Sequence, residues 1–316
     1  MLDYRDPLFS IIIFLLLIAV TILITNFLGN LKQKNRIKHL QEFVEKFDFL
    51  DDKEIKSIFS QDISINALML LAIAFEKEGN YEKSLNIYIV LLKHINEEEK
   101  YTVLQNMADV YFKAGFLHKS REALLEILKA HPRKTEALNL LFLVDDKLKN
   151  YDEMDNIIEI LEELEIDTTK KKAYLEYQKA FFNQDKNKIR ELVQQYPLLK
   201  RNYVTYFLNI NPKEIFDKIT NDEVYEMIDV FWYSDLPLKN EAFINIKAAK
   251  KELQTTLVSP IFELEVLKHT PKNLADLEFE YICQNCKHLT PFYEDRCPHC
   301  KALFTLKVEI EIIKKV

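Results

Sequence analysis

One set of residues occurs twice in this chain at a fixed distance. Ala72, Phe75, Gly79 and Ser84 return as Ala108, Tyr111, Gly115 and Ser120, 36 residues later. The two segments read "ALMLLAIAFEKEGNYEKSLNIYIVLLKH" and "VLQNMADVYFKAGFLHKSREALLEILKAHP". In each, the small residue and the aromatic three places on share one helical face. The small residue lets two helices approach closely. The glycine supplies the left-handed conformation that ends the first helix. Ser84 or Ser120 then sits at the close contact of a second helix, with Tyr88 or Leu124 one turn on, and Pro132 closes the second unit. Each segment is therefore a helix hairpin. One hairpin alone cannot bury its apolar face, so hairpins stack.

Composition agrees with a mainly α chain. Its 316 residues include only three glycines, Gly29, Gly79 and Gly115. Sheet-rich enzymes and phosphate-cradling loops need more. The pattern resembles the tetratricopeptide repeat, small-x-x-aromatic with glycine between the helices. A third unit is expected from Thr135, with Leu138, Leu141, Tyr151, Ile158 and Leu161 in register. Phe142 and Asp145 stand where a small residue and an aromatic are expected. "KKKAYLEYQKAFFNQ" and "NKIRELVQQYP" form one more candidate hairpin, after which Pro197, Pro212, Pro237 and Pro260 cut the chain into short helices. Repeats are thus expected over 65–275, clearest over 65–132 and degenerate beyond. The usual repeat register places Asn66, Met69, Glu76 and Lys77 on a partner-binding groove. It adds Gln105, Asp109, Phe112 and Lys113 from the next unit, then Asn139 and Asp146.

Residues 8–28, "LFSIIIFLLLIAVTILITNFL", carry no charge. As a helix they reach about 31 Å, enough to cross a bilayer. Only Arg5 is basic ahead of them, and no small-x-small cleavage site follows, so an uncleaved anchor over 1–29 is expected. Lys32, Lys34, Arg36 and Lys38 come next. The positive-inside rule keeps them in the cytoplasm, with the N-terminus periplasmic. Residues 30–64 read as a helical stalk through Ile37, Leu40, Phe43, Val44 and Phe47.

All four cysteines fall in "CQNCKHLTPFYEDRCPHC", residues 283–300. Two Cys-x-x-Cys knuckles bring four sulfurs to one ion in tetrahedral geometry, which suits zinc or a single iron. The reducing compartment disfavours disulfides. Cys283, Cys286, Cys297 and Cys300 are the expected ligands of one metal ion, zinc in preference to iron. With four thiolates present, His288 and His299 are expected to be exposed or supporting. "EFEYI" and the alternating Leu306, Val308, Ile310 and Ile312 read as strands of a small module over 276–316. Such a module has too little core to fold alone, and bound metal supplies about 10 kcal/mol or more.

The order of anchor, basic flank, helical repeats and four-cysteine ribbon resembles the lipopolysaccharide assembly protein B (LapB, YciM) family of Gram-negative bacteria. "YICQNCKHLTPFYEDRCPHCKALFTLK" and "ADVYFKAG" carry the likeness. The resemblance implies an N-terminal transmembrane helix, a tetratricopeptide-type α-solenoid and a rubredoxin-like module packed on the repeats. It implies an inner-membrane regulator without catalysis of its own, one that works with the protease FtsH and promotes degradation of the deacetylase LpxC. Lys287 stands where the family usually has glycine, and Asp295 and Arg296 where it tends to be aromatic. The alternative is an assembly factor or chaperone for another envelope complex, flagellar or secretory. Homo-oligomers are compatible with either. No nucleophile elbow, P-loop, HExxH or dinucleotide motif is present. A net charge of −7 speaks against a nucleic-acid partner.

Overall fold

The computed structural model describes residues 65–315. The expected anchor and stalk, 1–64, lie outside them. Among the described residues no helix is long and apolar enough to cross a membrane. The described residues form two compact units that part between Leu148 and Lys149.

The first unit holds α1 (Ile65–Lys77), α2 (Tyr81–Leu92), α3 (Glu97–Lys113), α4 (Leu117–Ala130) and α5 (Thr135–Leu148). Ala72, Ala108, Ser84 and Ser120 are all fully buried. Ser120 Oγ donates to the carbonyl oxygen of Ala108 at 2.7 Å, so in the hairpin of α3 and α4 the small residue and the serine are two sides of one helix contact, while the buried Ser84 Oγ makes no such bond. Ala72 lies in one apolar cluster with Leu68, Tyr88, Leu91, Val103, Met107 and Tyr111. Asn80 and Asn96 cap α2 and α3 by accepting from the backbone of Lys83 and Glu99.

The hairpin turn has one construction. Gly79 and Gly115 take φ of +79° and +82°. The residue after each donates back across the turn, Asn80 N to Phe75 O and Phe116 N to Tyr111 O, both at 2.8 Å. A Cβ on either glycine would meet nothing within 4 Å, so glycine is needed for its backbone and not for room. Lys149 and Gln184 adopt the same left-handed conformation, at +59° and +55°. The four positions 79, 115, 149 and 184 are 36, 34 and 35 residues apart. Glu165 and Lys251 end other helices in the same way.

The second unit begins with α6 (Tyr151–Glu163), α7 (Thr169–Phe182) and α8 (Lys186–Gln195). Shorter helices follow: α9 (Lys200–Ile210), α10 (Pro212–Phe216), α11 (Asn221–Glu226), α12 (Ile228–Trp232), α13 (Glu241–Ala249) and α14 (Phe262–His269). Pro212 opens α10, where its missing N–H leaves no bond unmade. A three-stranded antiparallel sheet ends the unit, in the order β2 (Leu289–Thr290), β1 (Ala275–Cys283), β3 (Leu306–Lys314). β1 and β3 pair from Ala275↔Lys314 to Cys283↔Leu306. Leu277 of β1 joins the helical core of Phe207, Phe231, Phe243, Ile246 and Leu264, and Phe279, Val308 and Ile310 pack against it.

Ion pairs join neighbouring helices at one sequence spacing. Arg121 of α4 meets Asp145 of α5, Asp155 of α6 meets Lys179 of α7, and Arg190 of α8 meets Glu214 of α10. Each pair is 24 residues apart in sequence. Asp145, a break in the expected aromatic pattern, is thereby explained. It is fully buried, and Arg121 Nε donates to it at 2.8 Å. Glu214 accepts from Arg190 Nε at 2.7 Å and Nη2 at 2.8 Å, and from the Tyr203 hydroxyl at 2.8 Å. These bonds, Arg190's first, hold its carboxyl down at about 2 from an ordinary 4.5.

The turn geometry can be tested by exchange. Gly115→Ala forces a Cβ into the left-handed region and lowers unfolding free energy by about 1 kcal/mol, while Gln184→Gly relieves the same strain and does not destabilise. Urea titration of both variants checks this. Because the folded carboxyl of Glu214 lies below its unfolded value, its contribution is whole above pH 4.5 and fades towards pH 2. Over that window Glu214→Gln loses less stability than the parent, as read by acid titration of the unfolding midpoint.

Candidate metal centre

β1 ends on Cys283 and the chain then turns twice in the same way. Lys287 N donates to Cys283 O at 2.8 Å, and Cys283 N to His288 O at 3.0 Å. In the second knuckle Lys301 N donates to Cys297 O at 3.0 Å, and Cys297 N to Ala302 O at 2.9 Å. Lys287 and Lys301, each directly after a second cysteine, take φ of +61° and +62°. Lys287 thus adopts the conformation that glycine favours, at a cost of about 1 kcal/mol. The two turns present the four thiols to one point.

All four Sγ atoms lie within 4.8 Å of one another. Cys283 and Cys300 are 3.6 Å apart, and Cys286 and Cys297 are 3.8 Å apart. A tetrahedron with metal–sulfur arms of 2.3 Å has edges of about 3.8 Å, so the set fits one ion. Soft thiolates suit zinc or iron, and four of them close the coordination sphere. Cys283 and Cys297 are fully buried, Cys286 and Cys300 half-buried. Burial pushes the Cys283 thiol up. Hydrogen bonds from Thr305 and from the backbone of Cys286 and Asn285 outweigh this and bring it down to about 6. Thr305 Oγ1 lies 3.3 Å from Cys283 Sγ, and Asn285 Nδ2 donates to Cys300 Sγ at 3.4 Å. His288 and His299 are exposed and stack at 4.8 Å between ring centres.

The module is bound to the helices by a buried polar network. Asp229 of α12 accepts from the Tyr281 hydroxyl of β1 at 2.7 Å and, on the same oxygen, from Arg201 of α9. Burial and this carboxylate push the Tyr281 hydroxyl up. The Arg201 guanidinium lies 3.9 Å from the Tyr293 ring centre. Asn202 Nδ2 donates to Asp295 at 2.8 Å, and Arg296 lies 5.0 Å from the Tyr174 ring centre. Asp295 and Arg296 therefore anchor the ribbon where aromatic residues are expected. Arg201, Asp229 and Tyr281 have no mark in the sequence, since they are 28 and 52 residues apart and carry no spacing rule.

The structure brings three of the expected groove residues together. Lys113 Nζ lies 2.5 Å from both Glu76 Oε1 and Asp109 Oδ2. Asn66 and Lys77 are exposed on α1, while Phe112, Asn139 and Asp146 are half-buried. Met69 packs on the first core. The Gln105 Oε1 atom is buried with no hydrogen-bond partner.

No known protein family is matched by the sequence. No curated protein matches it either. A solved tetratricopeptide repeat protein from Parabacteroides merdae is similar at 19% identity, over 69% of this chain and 87% of that one, with a TM-score of 0.41. A likeness so slight carries no weight, and the hairpins stand on their own geometry.

Replacing Cys283 and Cys286 together by serine is expected to abolish binding of one zinc per chain and to make residues 275–315 sensitive to protease. Metal content by atomic emission reads the first, and unchanged content would defeat the four-sulfur assignment. Thr305→Val keeps the metal but binds it about tenfold more weakly in chelator competition.

Proposed function

We propose that this chain is a membrane-anchored adaptor of the LapB kind. Its helical hairpins bind partner proteins, and its ribbon braces the helices that follow them. The observation that carries the reading is the four-thiol ribbon whose sheet shares a core with helices following repeat hairpins, through Leu277, Phe279 and Val308. A closed set of four thiolates leaves no position for a reacting group, so the metal's role is structural. When bound it cross-links the two knuckles and adds folding free energy to a module with little core of its own.

In this reading the groove of Asn66, Met69, Glu76, Lys77, Gln105, Asp109, Phe112, Lys113, Asn139 and Asp146 meets the client. Residues 1–29 hold the chain in the inner membrane beside FtsH, and the client is LpxC. The lifetime of LpxC after depletion of this protein tests it, with FtsH active and with FtsH inactivated. LpxC is expected to persist longer on depletion only while FtsH works. An unchanged lifetime assigns the adaptor to a different client.

A further inference from the structure

β3 is an outer strand of the three-stranded sheet, and among the described residues nothing pairs with its free edge. Gln284 N donates to Thr305 O at 2.8 Å and Lys315 N to Leu274 O at 3.0 Å. These bonds continue the β1–β3 register at both ends and fix its phase. Lys307, Glu309, Glu311 and Ile313 therefore turn their backbone N–H and C=O towards β1. Val308, Ile310, Ile312 and Lys314 turn theirs to the open side. No proline interrupts the strand, "LKVEIEIIK". Such an edge is a template for another strand.

The face of the sheet turned away from Leu277, Phe279, Val308 and Ile310 is acidic. Across the strands Glu278 pairs with Glu311, and Glu280 with Glu309. Like charges directly opposite destabilise a strand pair, and here two such pairs lie side by side. Glu278, Glu309 and Glu311 are exposed and Glu280 is half-buried. None of the four carboxylates has a hydrogen bond or ion pair among the described residues. On the same face Asp276 holds Lys315 at 3.0 Å, which leaves Lys307 as the other cation. The carboxylates do not gather round one point as metal ligands do; among the described residues the four cysteines alone do so.

We propose that the free edge of β3 takes up an extended segment of a partner protein as a fourth strand, antiparallel to β3, in which basic and apolar residues alternate. Added strands bind by main-chain hydrogen bonds and are selected by alternate side chains. Residues opposite Glu309 and Glu311 join the acidic face, where lysine or arginine relieves the repulsion. Residues opposite Val308, Ile310 and Ile312 join the apolar face and cover Ile312, which is 37% exposed. The antiparallel direction continues the sheet and makes the stronger ladder. A second copy of this chain fits less well, because symmetric pairing about Ile310 sets Glu309 against Glu311 twice. The proposal rests on the reading of the chain as a protein-binding adaptor and adds a second site, in the other compact unit from the Glu76–Lys113 groove. Cys283 lies opposite Leu306, so the metal centre holds one end of the edge in place.

The test uses the full chain loaded with zinc and a fluorescein-labelled peptide, Gly-Thr-Val-Lys-Val-Lys-Val-Gly, followed by fluorescence anisotropy. Replacing both lysines of the peptide by glutamate is expected to weaken binding about tenfold or more. N-methylation of the three valines removes the N–H groups that face β3 and abolishes binding, while N-methylation of the two lysines, whose N–H groups face away, leaves it. Glu309→Lys with Glu311→Lys is expected to weaken the lysine peptide about tenfold. Each new lysine then faces a carboxylate on β1, so this variant stays folded. Absence of binding, equal affinity for the lysine and glutamate peptides, binding that survives valine methylation, or unchanged affinity in the double variant would each overturn the proposal. A chain that sediments as a dimer, and as a monomer once Ile312→Pro removes an edge N–H, would give the edge to a second copy and overturn it as well. None of these results bears on LpxC lifetime, so the two readings fail separately.

Discussion

The ribbon's sheet cannot bury both of its faces. Two of its strands are nine residues long and the other only two, and its own cluster around the thiols holds little more than Tyr281, Cys283, Cys297 and Leu306. The other apolar side chains, Leu277, Phe279, Val308 and Ile310, are completed by Phe231, Phe243, Leu264 and their neighbours on the helices. The short helices after Pro197 depend on the sheet in return, since few of them are long enough to form by propensity. Four thiols fix one end of this arrangement. Asp229, shared by Arg201 and Tyr281, ties that same end to the helices. A polar network of this kind contributes little if replaced whole, but removing one member leaves a buried charge or hydroxyl unmet.

Much of this is legible in the sequence alone. The doubled set of alanine, aromatic, glycine and serine marks two hairpins because each residue type does a job that few others can. The two knuckles mark the metal centre for the same reason, and the thiols do converge. The later hairpins are harder to see. Their left-handed turns use Lys149 and Gln184, residues that tolerate the conformation without advertising it. The aromatic expected at position 145 is an aspartate instead, and it reads as a fault until Arg121 is found opposite. Opposite charges 24 residues apart, recurring at the hairpin period, are the signal that carries that register. Arg201 and Asn202 have no such signal, because what they bind is the ribbon, far along the chain. The expectation of a membrane anchor rests on the uncharged run of residues 8–28, outside the described residues.

Asp295 and Arg296 fasten the loop between the cysteine pairs to the helices by polar contacts. Arg296 lies over the Tyr174 ring, and Asp295 is gripped by the amide of Asn202. Both contacts tie the ribbon to α7 and α9 of the same compact unit.

The ion pairs along the repeats have a consequence for how the chain assembles. In two of them the cation sits on the second helix of its hairpin, as Arg121 and Arg190. In the middle pair it sits on the following helix, as Lys179 facing Asp155. Were a hairpin skipped during folding, Arg121 would confront Lys179, or Asp155 would confront Glu214, and like charges would meet. Near-identical neighbours are a standing hazard in repetitive chains, where domains mispair with the wrong copy. The alternating sign works as an address, telling each helix which neighbour is its own.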